Sequence, residues 1–196
     1  ESVLGQVRTV SPNNTVTCTN ADAPTLPLPS VQVFVGVGGS LSGATASSTV
    51  VNGSLGFGGS VGSLTLVSIK DKGALPATTD DKNYLGVIAS GLTADLIGLE
   101  ALLEFHASAN LALNKATDGL GAPITKLDWA TLGTTGTTGL TLPTLTGLTS
   151  TLDVHLDGTV ALNALSGVLV AAGGFELELG QVSTVNPNNT VTFTNA

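Results

Sequence analysis

Val31, Val33, Val35 and Val37 occupy every second position of this chain, and the same alternation returns at Val154 and Leu156, Val160 and Leu162, and Phe175, Leu177 and Leu179. A period of two places one set of side chains on one face of a strand and the remainder on the other. Asn52-Gly53, between Thr49-Val50-Val51 and Leu55, and Asp157-Gly158, between LDVHL and TVALN, predict tight antiparallel reversals, because both dipeptides accept positive φ. Gly-Gly pairs at 38–39, 58–59 and 173–174 predict further turns, or bends within longer strands. The expected fold class is all-β, a mainly antiparallel β-sandwich-like module with at most one short helix. A β-solenoid is the alternative, suggested by VGVGGSL and LGFGGSV lying twenty residues apart.

One segment reads both ways. In 91–105, Leu92, Leu96, Leu99 and Leu103 follow helical spacing with Asp95 and Glu100 on other faces, which predicts about three helical turns. Gly98 inside it costs about 1 kcal/mol relative to Ala. The continuation through Phe105, Ala107, Ala109 and Leu111 alternates like a strand. Helix and strand are left even.

Residues 4–21, LGQVRTVSPNNTVTCTNA, return at 179–196 as LGQVSTVNPNNTVTFTNA, with fifteen of eighteen positions identical and an offset of 175 residues. Such agreement marks an internal repeat. The expected organisation is an inter-repeat joint strand at 1–21, a β-rich module at 22–178, and the start of a further repeat at 179–196. The candidate inter-module contact is carried by Val16, Cys18, Val191 and Phe193, the apolar positions of TVTCTN and TVTFTN. Cys18, the only cysteine, has no partner for an internal disulfide, and Phe193 at the equivalent place predicts an apolar slot that accepts either residue. Segment 22–30, with three prolines, predicts a semi-extended linker or edge segment. The stretches 71–83, 117–125 and 133–139 predict solvated or turn-forming loops.

Charged residues make up only 10 % of the chain, and 6 Lys and Arg against 14 Asp and Glu give a net charge of −8. So few cations gain little from counterion release, which argues against nucleic acid and anionic membrane surfaces as partners. Apolar content of 42 % argues against a disordered acidic tail. The most apolar stretch, 84–105, is interrupted by Ser90, Thr93, Asp95, Glu100 and Glu104, so no transmembrane segment is expected. The chain holds no methionine and opens on Glu1, which reads as an internal or processed fragment.

Few residue groups have the pattern that chemistry needs. His106 and His155 are 49 residues apart, and each alternates with apolar neighbours, which predicts solvated surface histidines. Asp95, Glu100 and Glu104 would be the carboxylates for glycoside chemistry, but aromatics total 4 % and no sugar platform accompanies them. Asp153, Asp157 and Gly158 do not match an EF-hand loop, and weak Ca2+ binding at Asp80-Asp81 competes with simple solvation of a turn. No glycine cluster fits a nucleotide motif. Asn13, Asn52 and Asn188 open N-glycan sequons. Trp129 predicts a packing anchor whose N–H finds a partner or solvent. The expectation is no enzyme, no cofactor and no catalytic or metal residue.

The phrases VFVGVGG (33–39), LVSIKD (66–71), NKATDG (114–119), KLDWATL (126–132) and VALNALSGVLVAAGGFELELG (160–180) resemble repeats of very long bacterial surface or secreted proteins, the tandem-repeat giants of LEPR-XLL or RTX-adhesin type. The resemblance spans about Val31 to Gly180. It implies an extracellular or cell-surface, repetitive all-β protein with adhesive or architectural duty. The chain has no GGxGxD nonapeptide, so calcium is not carried over with the resemblance. Two functions follow as expectations. The first is a structural repeat unit of an extracellular filament, surface layer or stalk that associates with identical or adjacent repeats. The second is an adhesin domain binding a surface glycan or another cell-surface ligand through loops 71–83 and 117–139.

Overall fold

The structure, a computed structural model, describes residues 3–10, 17–45, 47–72, 78–130, 132–136, 142–180, 184–185 and 192–193, with side chains at 21–45, 47–72, 78–130, 132 and 142–180. The chain is all-β. Strands β1 (Val3–Val10), β2 (Thr17–Val37), β5 (Leu55–Asp71), β6 (Lys82–Ile97), β7 (Leu103–Asp118), β8 (Gly133–Gly136), β9 (Leu152–Ala164) and β10 (Leu169–Gly180) form one sheet in the order β10-β9-β7-β6-β5-β2-β1-β8. Two small antiparallel pairs accompany it among the described residues, β3 (Ser40–Ser42) with β4 (Thr49–Val51), and β11 (Thr184–Val185) with β12 (Thr192–Phe193). Every strand pairing is antiparallel, so the solenoid alternative, built from stacked parallel coils, does not form.

A crease divides the sheet. In β7, which runs unbroken, Asn114 and Ser108 share one face by parity. Thr93 of β6 lies opposite Ser108, whereas Tyr84 and Ile88 of β6 lie opposite Ala116 and Ala112. The alternation of β6 therefore reverses where its register slips between Ala89 and Leu92. Gly91 sits there at φ 63°, a conformation that costs glycine nothing. The pairings Ser60↔Thr93 and Gln32↔Ser60 carry the reversal through Gly62 to Ser30, which holds φ 54°. Gly91 N–H donates to Asn110 Oδ1 at 3.1 Å, so the donor freed by the irregularity finds a side-chain acceptor.

On one side of the crease, one face of the sheet is covered by segments 120–130 and 142–152. Ala21, Ala23, Val67, Ile69, Tyr84 and Ala116 of the strands pack under Leu127, Trp129, Leu142, Leu145, Leu148 and Leu152. The fold is sandwich-like in having two layers, the second made of this coil. Trp129 is the expected anchor. It is 2 % exposed, its backbone N–H donates to Leu148 O at 2.9 Å, and its indole N–H donates to Asn114 Oδ1 at 2.9 Å. Asn114 in turn donates to Leu127 O and Thr149 O, so a buried amide is fully used in fastening coil to sheet.

Several expectations are corrected. Among the described residues there is no helix: 91–105 is the end of β6, a turn through Gly98 at φ 85°, and the start of β7. Leu92 and Leu96 are both even positions, so they suit a strand as well as a helix, and pairing on both sides selects the strand. Asp157-Gly158 is no turn. β9 runs straight through it, because β7 and β10 supply hydrogen-bonding partners on both flanks. A glycine is needed there for space instead: a Cβ on Gly158 would stand 2.1 Å from Ser108 O and 2.7 Å from Phe175 Cζ. Gly158→Ala is expected to cost about 1–3 kcal/mol by overpacking, read from the urea midpoint; an unchanged midpoint would contradict the β7–β9 contact.

At Asn52-Gly53 the expected tight reversal does not form either: the dipeptide joins β4 to β5 without positive φ and without pairing them, since β4 pairs with β3 and β5 with β2. The β9–β10 reversal lies at 165–167, where Leu165, Ser166 and Gly167 hold φ of 55°, 55° and 90°. Of the Gly-Gly pairs, 38–39 ends β2, while 58–59 and 173–174 lie inside strands. The proline segment 22–30 is strand rather than linker, paired to β5 on one side. On its other side the β1 pairing ends at Thr25, so Pro27 and Pro29 do sit at an edge. Thr134 and Thr135 of the 133–139 tract are strand too, opposite Thr9 and Arg8. The 71–83 loop is pinned at its ends, by Lys72 to Asp22 at 2.6 Å and Lys70 to Asp81 at 3.1 Å. The hydrogen bond that Lys72 donates to Asp22, and then the charge of Asp22, hold the Lys72 ammonium above the ordinary lysine value.

Candidate functional site

The repeated segment forms the same local structure twice. In the first copy Thr9 lies opposite Cys18 and Val10 opposite Thr17. In the second, Thr184 lies opposite Phe193 and Val185 opposite Thr192. Adding the 175-residue offset to the first set of numbers yields the second. Both copies pair the same positions antiparallel. Of the four predicted contact residues, Cys18 and Phe193 therefore hold equivalent register positions, and Val16 and Val191 lie outside the described residues.

The expected module boundaries fall inside strands: 21/22 within β2 and 178/179 within β10. β10 ends at Gly180, within the second copy, where Gly180 corresponds to Gly5 of β1. One edge of β10 pairs with β9, and β10 ends the sheet on its other side. β1 in turn pairs with β2 over residues 17–25 only, leaving the remainder of that β2 edge without a partner strand among the described residues. Unpaired strand edges of this length are templates for another strand.

A second group lies on the core-side face near the crease. His155 stands opposite Glu178, and Asp157 opposite Glu176, so four polar side chains form a two-by-two square across β9 and β10. His155 Nε2 lies 3.4 Å from Asp157 Oδ1 and 3.9 Å from Glu176 Oε1, and its Nδ1 lies 3.8 Å from Glu178 Oε2. Asp157 Oδ2 also accepts from Asn110 Nδ2 at 2.9 Å, which links the square to Gly91 and the crease. Ligand atoms of His155, Glu176 and Glu178 come within 4.8 Å of one another, a donor set of the type divalent cations take. Both glutamates are about two-thirds exposed, so water already solvates them.

The other candidates stay apart. His106 is exposed, as expected, and pairs with Asp95 through a 2.6 Å contact across β6 and β7. Glu104 accepts from Asn163 Nδ2 at 3.0 Å. Glu100 lies in the β6–β7 turn and accepts from Gly98 N–H at 2.8 Å. Asp81 is 4 % exposed and ion-paired to Lys70, so an ammonium already occupies the carboxylate considered for weak Ca2+ binding.

The hydrogen bond from Gly98, seconded by Glu100's own backbone N–H, holds the Glu100 carboxyl below its ordinary value. A depressed folded-state value means that its stabilisation is fully present above the unfolded-state value and is lost as pH falls through the folded one. Glu100→Gln is expected to flatten the decline of the urea midpoint in that acidic window by lowering the neutral midpoint slightly, so that parent and variant converge at acid pH. Parallel pH profiles for parent and variant would contradict the turn geometry.

No protein-family model, no curated protein and no solved structure matches this chain.

Proposed function

We propose that this chain is a structural repeat unit of an extracellular filament, surface layer or stalk, whose adjacent modules are joined through the repeated strand segment. The supporting observation is that the two copies, 175 residues apart, pair the same positions antiparallel. Because Glu176–Gly180 of β10 correspond to positions 1–5, one strand serves as the last of one module and the first of the next. Its inner edge belongs to β9, and its outer edge takes the β2 of the following module. Strand addition of this kind satisfies backbone donors and acceptors without any charged contact, which suits a chain with 10 % charged residues. Low charge leaves hydrogen-bonded ladders and apolar burial as the cohesive forces. The partners are therefore further copies of the same repeat.

A tandem protein carrying two full 175-residue periods followed by the 176–196 segment tests the reading. Its two modules are expected to melt as one cooperative unit at a higher midpoint than the single period. Two independent transitions at the single-period midpoint would overturn the shared strand. Deleting 179–196 from the single period is expected to lower its association, and unchanged association would count equally against the reading.

A further inference from the structure

The face of the sheet opposite Trp129 is an aliphatic lattice. Cross-strand register places Leu26, Leu66, Val87, Leu113, Val154 and Leu179 in one row. The next row is Leu28, Leu64, Ala89, Leu111, Leu156 and Leu177. The reversal at Ser30, Gly62 and Gly91 keeps the lattice apolar across the crease. Beyond it the same face carries only Val, Leu, Phe, Ala and Gly, from Val31 and Phe175 out to Val37 and Leu169. The polar partners Ser60 with Thr93, and Ser108 with Thr159, fall on the other face. On this face Val35 is 68 %, Phe57 52 % and Leu179 50 % exposed, the central rows through Leu111 and Leu113 are half-buried, and Ala89 and Leu96 are buried.

We propose that this face packs against the same face of a second copy of the chain, closing a two-sheet sandwich. The inference stands apart from the seam between modules, which uses strand edges. Six strands about 4.8 Å apart and six rows about 6.7 Å apart give a footprint of roughly 24 by 34 Å. Pairing two such faces buries about 1,600 Å² in total, the size of a stable specific interface. The chain exposes 11650 Å², against about 8,500 Å² expected of a compact domain of its mass, and the open face contributes to that excess.

The lattice has no hydrogen-bonding or charged group by which a dissimilar partner would be selected. Sheet-on-sheet packing asks for a flat aliphatic surface at about 10 Å, and a second copy presents one of equal size. A two-fold arrangement is self-complementary. Charged residues begin only at one end of the face, with Asp22, Lys70 and Lys115 as a rim. Lipid suits the face less well. Membrane β-strands carry Trp and Tyr girdles at both interfaces, whereas Trp129 and Tyr84 are both buried on the opposite face.

Sedimentation of the full chain tests this, with Leu111→Glu as the disrupting variant and Trp129 emission from the far face as the check on folding. The parent is expected to be a dimer from low micromolar concentration upward, and Leu111→Glu a monomer with native Trp129 emission. Should Leu111→Glu unfold, Leu111→Thr introduces a β-branched residue that suits a strand and is expected to weaken the dimer at least about tenfold. The proposal is overturned by a monomeric parent, by a folded Leu111→Glu dimer, by a Leu111→Thr dimer of parental affinity, or by a monomer that binds neutral phosphatidylcholine vesicles.

Discussion

Trp129→Ala is expected to remove about 4 kcal/mol or more of stability, enough to leave the chain largely unfolded if its total lies low in the usual 5–15 kcal/mol range. Two losses combine. The first is the apolar volume between Leu127, Leu145, Leu148 and Tyr84, all within the same buried cluster. Gly86 shows how closely this layer lies on the sheet, since a Cβ there would meet Leu145 Cδ1 at 2.6 Å and Trp129 Cε2 at 2.9 Å. The second loss is the indole donor to Asn114 Oδ1, which leaves a buried acceptor unpaired at about 1–3 kcal/mol. Trp129→Phe separates the two, because it retains most of the ring area and loses only the donor; it is expected to cost about 2 kcal/mol. Urea unfolding followed by far-ultraviolet circular dichroism measures both variants. A Trp129→Ala protein within 1 kcal/mol of the parent (about the error of one deleted hydrogen bond) would mean that the segment carrying Trp129 does not pack on the sheet.

Asp153→Ala is expected to be the next most damaging change, at about 2–3 kcal/mol. The Lys126 side chain is 3 % exposed, and its ammonium donates to Asp153 Oδ1 at 2.5 Å and to Thr151 O at 3.2 Å. Removing one partner of a buried pair strands a charge and costs about 3–5 kcal/mol. Asp153 is 47 % exposed, so water already screens the pair and the lower figure applies. Lys126→Met removes the charge while keeping the unbranched stem, and is expected to fall within about 1 kcal/mol of the parent. The contrast between the two variants is the measurement. Equal urea midpoints for Asp153→Ala and Lys126→Met would show that a stranded ammonium is not the source of the loss.

The strand reading of Val31–Val37, Val160–Leu162 and Phe175–Leu179 came directly from alternation, because side-chain direction in an extended chain depends only on parity. Trp129 was legible as an anchor for a similar local reason: a lone indole in an apolar context gains most by burial. Asp157-Gly158 misled, since a dipeptide's tolerance of positive φ permits a turn without requiring one, and β7 and β10 hold β9 straight. The true reversal at 165–167 carried a readable Ser166-Gly167 signal between two alternating runs. Once that turn is placed, His155 opposite Glu178 and Asp157 opposite Glu176 follow by counting. Without it the histidine stood alone in the sequence.

Strand character and antiparallel class were contained in the order of residues, because each rests on neighbours within a few positions. Register was not contained there. Which rows of leucine meet, where Ser30, Gly62 and Gly91 turn the alternation over, and how Asn114 reaches Trp129 depend on contacts between strands far apart in the chain. A shift of one residue in any pairing would turn a strand's side chains to the other face. Folding settles that choice by burying Ile69, Tyr84 and Leu148 together, and the aliphatic lattice on the reverse side comes into being as its consequence.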